Sequence, residues 1–140
     1  EFKQILDEFL PRYFDILLND SLRSEIVEIR VEGHTDDVPY PQLDSDPYIA
    51  NVILSQRRSL SVLQYFRSMP DFEMYSEEEK KLLEYWFTAN GLSYGKSVDN
   101  DGNYTIKSNK AIDKDRSRRV EFRIVTSGED VLENFVNGLK

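Results

Sequence analysis

A chain of 140 residues is long enough for one domain with a sizeable core, and 39% hydrophobic and 12% aromatic residues exclude wholesale disorder. With 18 basic against 26 acidic side chains the net charge is −8, which excludes a general binder of nucleic acid or anionic membrane, because such partners need a cationic footprint. The absence of cysteine removes disulfides, thiolate metal sites and cysteine nucleophiles, and no apolar run approaches the roughly 18–20 residues of a membrane span.

The sequence opens at Glu1-Phe2-Lys3 already inside a helical pattern, so it is expected to be a fragment of a longer protein whose targeting or anchoring segment lies upstream. Phe2, Ile5, Leu6, Phe9, Leu10, Tyr13 and Leu17 recur at three- and four-residue spacing and predict an amphipathic helix, which Pro11 should kink or split. From Ile26 to Glu32 the pattern alternates, with Val27, Ile29 and Val31 on one side and Glu28, Arg30 and Glu32 on the other, as a strand requires. Residues 33–48 are rich in Pro, Asp and Gly and read as a long surface loop.

From about Ile49 to Met69 the helical period returns, gathering Leu54, Val62, Tyr65 and Met69 on one stripe, with Asn51 and Arg58 on the same stripe. Pro70 ends that helix. Ser76 followed by Glu79 predicts a capping box for a helix running to about Thr88, with Leu82, Leu83, Trp86 and Phe87 buried and Gly91 as its stop. A short strand is expected near 92–98, a turn over Asp99-Asn100-Asp101-Gly102-Asn103, a strand over 119–125 and a short helix around 129–136. The order points to an α/β or α+β sandwich with helices against a small mixed sheet.

Three groups of residues carry chemistry. Gly33-His34-Thr35-Asp36-Asp37 stands at the carboxyl end of a strand, where α/β sheets bind ligands, although a polar turn with a capping Asp fits equally. Gly33 there would let the backbone turn sharply. Arg58, beside Asn51, Leu54 and Ser55, is costly on an apolar stripe unless paired or solvated. It snorkels to solvent, locks internally to Asp36 or Glu32, or offers its planar fork to a ligand carboxylate. Arg116-Ser117-Arg118-Arg119 reads as an anion-binding patch or as the charged end of an edge strand.

Together, Gly33-His34-Thr35-Asp36, Asn51-x-x-Leu54-Ser55-x-x-Arg58 and Arg118-Arg119-Val120-Glu121 resemble the OmpA-like peptidoglycan-binding domain family over about Ile26 to Val125. The resemblance implies a single domain over 1–140, with residues 70–90 as an inserted helical region. Helices would pack on one face of a small mixed sheet. Members begin with a strand before the first helix, so one strand is expected to be missing here or filled by another segment or molecule, and an exposed edge would favour a homodimer.

The function implied is non-catalytic binding of the diaminopimelate in the peptidoglycan stem peptide. It would anchor a membrane-anchored or outer-membrane-associated protein in the periplasm of a Gram-negative envelope, with no cofactor and no metal. By motif position Asp36 would meet the ligand's ammonium and Arg58 its carboxylate. Thr35, Asn51 and Leu54 would line the pocket, Arg118 would help close it, and Gly33 and His34 would orient the loop. A zwitterionic end needs one fixed anion and one fixed fork, which fits this pair.

Departures fall on the rim. Asp113-Lys114 and Ser117-Arg118-Arg119 stand where members have Gly-Arg and Asn-Arg-Arg, and Ala50 stands where a tyrosine is frequent. Two other classes remain open at this point. One is a metal-dependent hydrolase using His34, Asp36 and Asp37, with too few separated ligands for catalytic zinc. The other is an interaction domain without ligand binding, which would use Trp86 and Phe87 as a partner surface.

Overall fold

The computed structural model describes residues 1–127. Its elements in chain order are α1 (Phe2–Leu17), α2 (Asp20–Arg23), β1 (Ile26–His34), α3 (Pro47–Ser68), α4 (Pro70–Glu73), α5 (Glu77–Trp86), β2 (Phe87–Gly91), α6 (Thr105–Ser108), α7 (Lys114–Ser117) and β3 (Arg119–Thr126). The helix expected around 129–136 lies outside the described residues. The strands form one sheet in the order β2-β1-β3. Glu28 meets Thr88 and Gly33 meets Leu92, so β2 runs parallel to β1. Glu25 meets Ser127 and His34 meets Glu121, so β3 runs antiparallel. A parallel pair requires a crossover, and here α3, α4 and α5 supply it. Helices with a small mixed sheet make this an α+β two-layer fold, as the element order predicts.

The chain divides into two compact units, one of Glu1–Arg30, Gln64–Thr88 and the segment from Ile124, the other of Val31–Leu63 and Ala89–Arg123. In the first, α1 buries Leu6, Leu10, Phe14 and Leu17. Phe2, Ile5 and Phe9 are exposed, so the apolar face is rotated from the predicted one and centred on Phe14. Phe14 stacks on Phe66 with ring centroids 4.4 Å apart and packs on Phe87 at 5.0 Å. Pro11 does not split the helix, because burial on both sides of it outweighs one lost backbone hydrogen bond. The Ser76–Glu79 capping box forms as predicted. Trp86 and Phe87 are buried, so they serve the core and are not a partner surface.

The predicted strand near 92–98 is not found; the strand lies earlier, at β2. Helix α5 ends at Trp86 and Phe87 is extended. The spacing of Leu82, Leu83, Trp86 and Phe87 is compatible with a helix through Thr88, but pairing with β1 decides the matter. Gly91 closes β2 and does not stop a helix.

In the second unit, α3 begins at Pro47, and Asp46 Oδ1 accepts the Tyr48 N–H at 2.8 Å. The buried line of α3 is Asn51, Ser55, Ser59, Val62, Phe66 and Met69, whereas Leu54, Arg58 and Tyr65 flank it half-buried. The predicted stripe was therefore turned, and the reason is steric. A Cβ on Gly33 of β1 would stand 2.3 Å from the Ser55 carbonyl oxygen, and one on Gly91 of β2 would stand 2.5 Å from the Gln56 nitrogen. Backbones this close admit only small side chains at the contact, so α3 presents serines where a hydrophobic period predicts aliphatic residues. Their hydroxyls stay satisfied by bonding back along the helix, Ser55 to the Val52 carbonyl and Ser59 to that of Ser55.

The predicted 99–103 turn forms. Asp99 Oδ1 accepts the N–H groups of Asp101 and Asn103, Gly102 takes φ +82°, and Val98 pairs with Tyr104 across it.

Candidate functional site

The tip of β1 gathers most of the predicted site. Gly33 lies inside the strand and serves the close approach of α3, not the sharp turn expected of it. Thr35 N–H donates to the Ser93 carbonyl at 2.9 Å, and its Oγ1 is buried without a hydrogen-bond partner. Asp36 is buried, accepting the Val38 N–H on Oδ1 at 3.0 Å and Arg118 Nη1 on Oδ2 at 2.6 Å. Burial raises its carboxyl pKa, but the Val38 bond, the Arg118 bond and charge, and Lys114 together hold it below the usual value.

Asn51 Nδ2 donates to the carbonyls of Val38 and Pro47, each at 2.9 Å, while its Oδ1 is buried without a hydrogen-bond partner. Val38 thus joins Asp36 and Asn51 through its two backbone groups. Leu54 is half-buried on α3. Arg58 is half-buried too, and it makes no ion pair with any described residue, so the predicted lock to Asp36 or Glu32 does not form.

The basic run entering β3 is not one patch. Arg116 donates to the Asn100 carbonyl, and Ser117 is buried and accepts the Val98 N–H at 3.0 Å. Arg118 reaches Asp36 and also bonds Asp115. Arg119 donates to Glu121 at 2.6 Å and to the Lys96 carbonyl at 3.1 Å. Each member has its own partner, while Arg116 and Arg118 stay solvent-exposed at the start of the edge strand β3, as the charged-edge reading has it.

His34 is buried, and its ring nitrogens face residues of the strands, with no hydrogen bond to the loop among the described residues. Its Nε2 faces Glu32 Oε1 at 3.6 Å and Glu121 Oε2 at 3.8 Å. Burial, then the Arg119 charge, lower its pKa against the opposing pull of Glu121 and Glu32. The hydrolase trio does not converge either: His34 faces two glutamates, Asp36 faces Arg118, and Asp37 lies 3.8 Å from Lys114.

Ser93 escaped the sequence reading. A serine at φ 55° is uncommon, and here it is fully buried. Its N–H donates to Ser55 Oγ and its hydroxyl to the Tyr48 carbonyl, while its own carbonyl receives Thr35. It therefore ties the strand tip to α3. Nothing in Leu92-Ser93-Tyr94 marks such a residue.

Fold and site together define an α+β protein with a crossover between parallel strands and an acid–guanidinium pair at the central strand's tip. The chain is 35% identical over 130 residues to Zorya protein ZorB of Escherichia coli, a match covering 92% of this chain and 50% of that protein. It thus spans about half the length of the relative it matches. No family model matches the chain.

Proposed function

We propose that the chain is a non-catalytic module of the OmpA-like type that binds the diaminopimelate end of the peptidoglycan stem peptide in the periplasm of a Gram-negative cell. In that role it anchors an envelope protein to the wall. The observation that carries the reading is Arg58, a half-buried residue on α3 with no ion pair to any described residue, on the helix that packs against the strand leading to Asp36. A fork held in this way suits a ligand carboxylate. Asp36 supplies the opposite charge: a carboxylate has about four acceptor directions, and two are taken here, by Val38 and Arg118. The exposed Arg118 arm makes room for, or shares the carboxylate with, the ligand ammonium. Thr35, next to Asp36 in the chain, and Asn51, joined to Asp36 through Val38, add polar atoms without a hydrogen-bond partner, Oγ1 and Oδ1. The ZorB match supports the reading to the extent that all three motifs fall within the shared region.

A second reading, a domain of the same fold that has lost ligand binding, has the engaged state of Asp36 in its favour. Calorimetric titration with a diaminopimelate-containing muropeptide separates the two. The wild type should bind, and Arg58→Ala and Asp36→Asn should each lose binding. Equal affinity in wild type and Arg58→Ala, or heat from neither, overturns the proposal.

A further inference from the structure

The polar face of the β1–β3 pair carries a second cluster, independent of the ligand site proposed above. Glu32 and His34 lie two apart on β1 and so point to the same side, and Glu121 stands opposite them on β3. One donor atom from each lies within 4.8 Å of the others.

Two features of this cluster suit a ligand better than a finished internal network. The first is His34 itself. At 2% exposure it is the most deeply enclosed member, yet neither ring nitrogen has a hydrogen-bond partner, and its Nε2 points at two carboxylate oxygens 3.6 and 3.8 Å away. N–H···O bonds close best at about 2.7–3.2 Å, so the 3.6 and 3.8 Å contacts leave the imidazole loosely held between the two carboxylates. Two donors sharing a tetrahedral ion with bonds of about 2.0–2.1 Å sit roughly 3.3–3.4 Å apart, so the 3.6 and 3.8 Å spacings have to contract by a few tenths of an ångström when an ion binds.

The second feature is how the carboxylates are held. Glu121 gives Oε1 to Arg119 at 2.6 Å and turns Oε2 to His34. Glu32 gives Oε2 to Arg123 at 3.3 Å and turns Oε1 to His34. Each glutamate is thus oriented by an arginine through one oxygen and aims the other inward, the arrangement by which outer groups orient metal ligands.

We infer that Glu32, His34 and Glu121 form a site for one divalent transition cation, of which Zn²⁺ is the best match, bridging β1 to β3. One imidazole and two carboxylates favour such an ion over Mg²⁺ or Ca²⁺, which prefer all-oxygen shells with more ligands. Of the three residues Glu121 is the one that reaches solvent, and it borders an open pocket of about 330 Å³ lined also by Val98, Gly102, Tyr104, Arg116 and Arg119, so entry is proposed from that side. The pocket leaves room for a water or a small anion as the fourth ligand. Arg119 and Arg123 already offset the two carboxylates, so binding is expected in the micromolar range and not at the strength of a thiolate site. The ion's effect is structural, fixing the strand whose tip carries Asp36.

His34 is the chain's one histidine, so its ring resonances report on this site without ambiguity. The test is a Zn²⁺ titration of the whole chain in chelator-free buffer, followed by calorimetry and by the imidazole NMR signals. The expected result is one Zn²⁺ per chain, a saturable shift of the His34 ring signals, no displacement by millimolar Mg²⁺, and affinity weakened about tenfold or more in Glu121→Gln. Glu121 is 38% exposed, so that variant should fold. Ring signals that do not move in excess Zn²⁺, or Zn²⁺ affinity unchanged in Glu121→Gln, overturn the inference.

Discussion

Asp36 and Arg118, 82 residues apart in sequence, meet at 2.6 Å, and the pair is lopsided: the Asp36 side chain is 5% exposed and that of Arg118 42%. A buried carboxylate therefore depends on an arm that solvent reaches. Arg118→Ala would leave the carboxylate with one backbone hydrogen bond. It should lower stability measurably, but by less than breaking a fully enclosed pair would, because solvent screens the arginine. Urea denaturation of Arg118→Ala, Asp36→Asn and the double variant measures the coupling, which should be positive. Additive effects of the two changes would show that the contact is energetically idle.

The seam between α3 and the two parallel strands makes a sharper steric prediction. A methyl group on Gly33 would meet the Ser55 carbonyl at 2.3 Å, and one on Gly91 the Gln56 nitrogen at 2.5 Å. Both obstacles are backbone and cannot rotate away. Gly33→Ala and Gly91→Ala should each cost about 3 kcal/mol or more, at the upper end of overpacking. Gly95→Ala, whose nearest neighbour is 3.7 Å off, should stay within about 1 kcal/mol. Thermal melts of the three variants provide the comparison.

The same seam explains what the sequence could and could not disclose. The strand at β1 and the capping box at Ser76 depend on residues a few positions apart, and both form, although the β1 alternation breaks at its end, where Glu32 is buried. The buried face of α3 keeps Asn51, Val62 and Met69 of the predicted stripe but replaces its other members with Ser55, Ser59 and Phe66, the serines being dictated by glycines 22 and more residues away; a hydrophobic period detects aliphatic burial and overlooks close backbone packing. Strand β2 was missed because Trp86 and Phe87 suit a helix or a strand, and long-range pairing selects between them. Of the proposed ligand site, Asp36, Thr35 and Asn51 come together through Val38 and Ser93, and the Arg118 contact was visible only as a motif position. Glu32 lies with Glu28 and Arg30 on one side of an alternating strand, and Glu121 lies in a strand far along the chain; that they flank one histidine depends on the antiparallel register of β3.

Acid should loosen the 99–103 turn. The neighbouring Ser108 hydroxyl, the N–H groups of Asn103 and Asp101, and the Lys110 charge lower the Asp99 pKa against the opposing effect of burial. A carboxyl depressed on folding contributes stability above its unfolded pKa of about 4, and that contribution disappears as pH falls through the lower folded value. Asp99→Asn should therefore be less stable than wild type at pH 5.5, with the gap narrowing toward pH 3. A gap that stays constant over that range would mean that the turn is held by shape and not by charge. Urea midpoints at the two pH values provide the measurement.

Arg58 should separate folding from binding. A guanidinium with an internal partner would, on removal, leave an opposite charge stranded and lower stability. Arg58 has no such partner among the described residues and is only half-buried, so Arg58→Ala forfeits some packing of its aliphatic stem and little else. Its stability should fall within about 0.5–1 kcal/mol of wild type, whereas muropeptide binding should be lost. Arg58→Lys refines the point: it retains the charge but not the fork, and so should keep the fold and recover only part of the affinity. A loss of several kcal/mol in Arg58→Ala would instead assign the side chain to the scaffold. In that case the carboxylate-binding role proposed for it would have to pass to another residue.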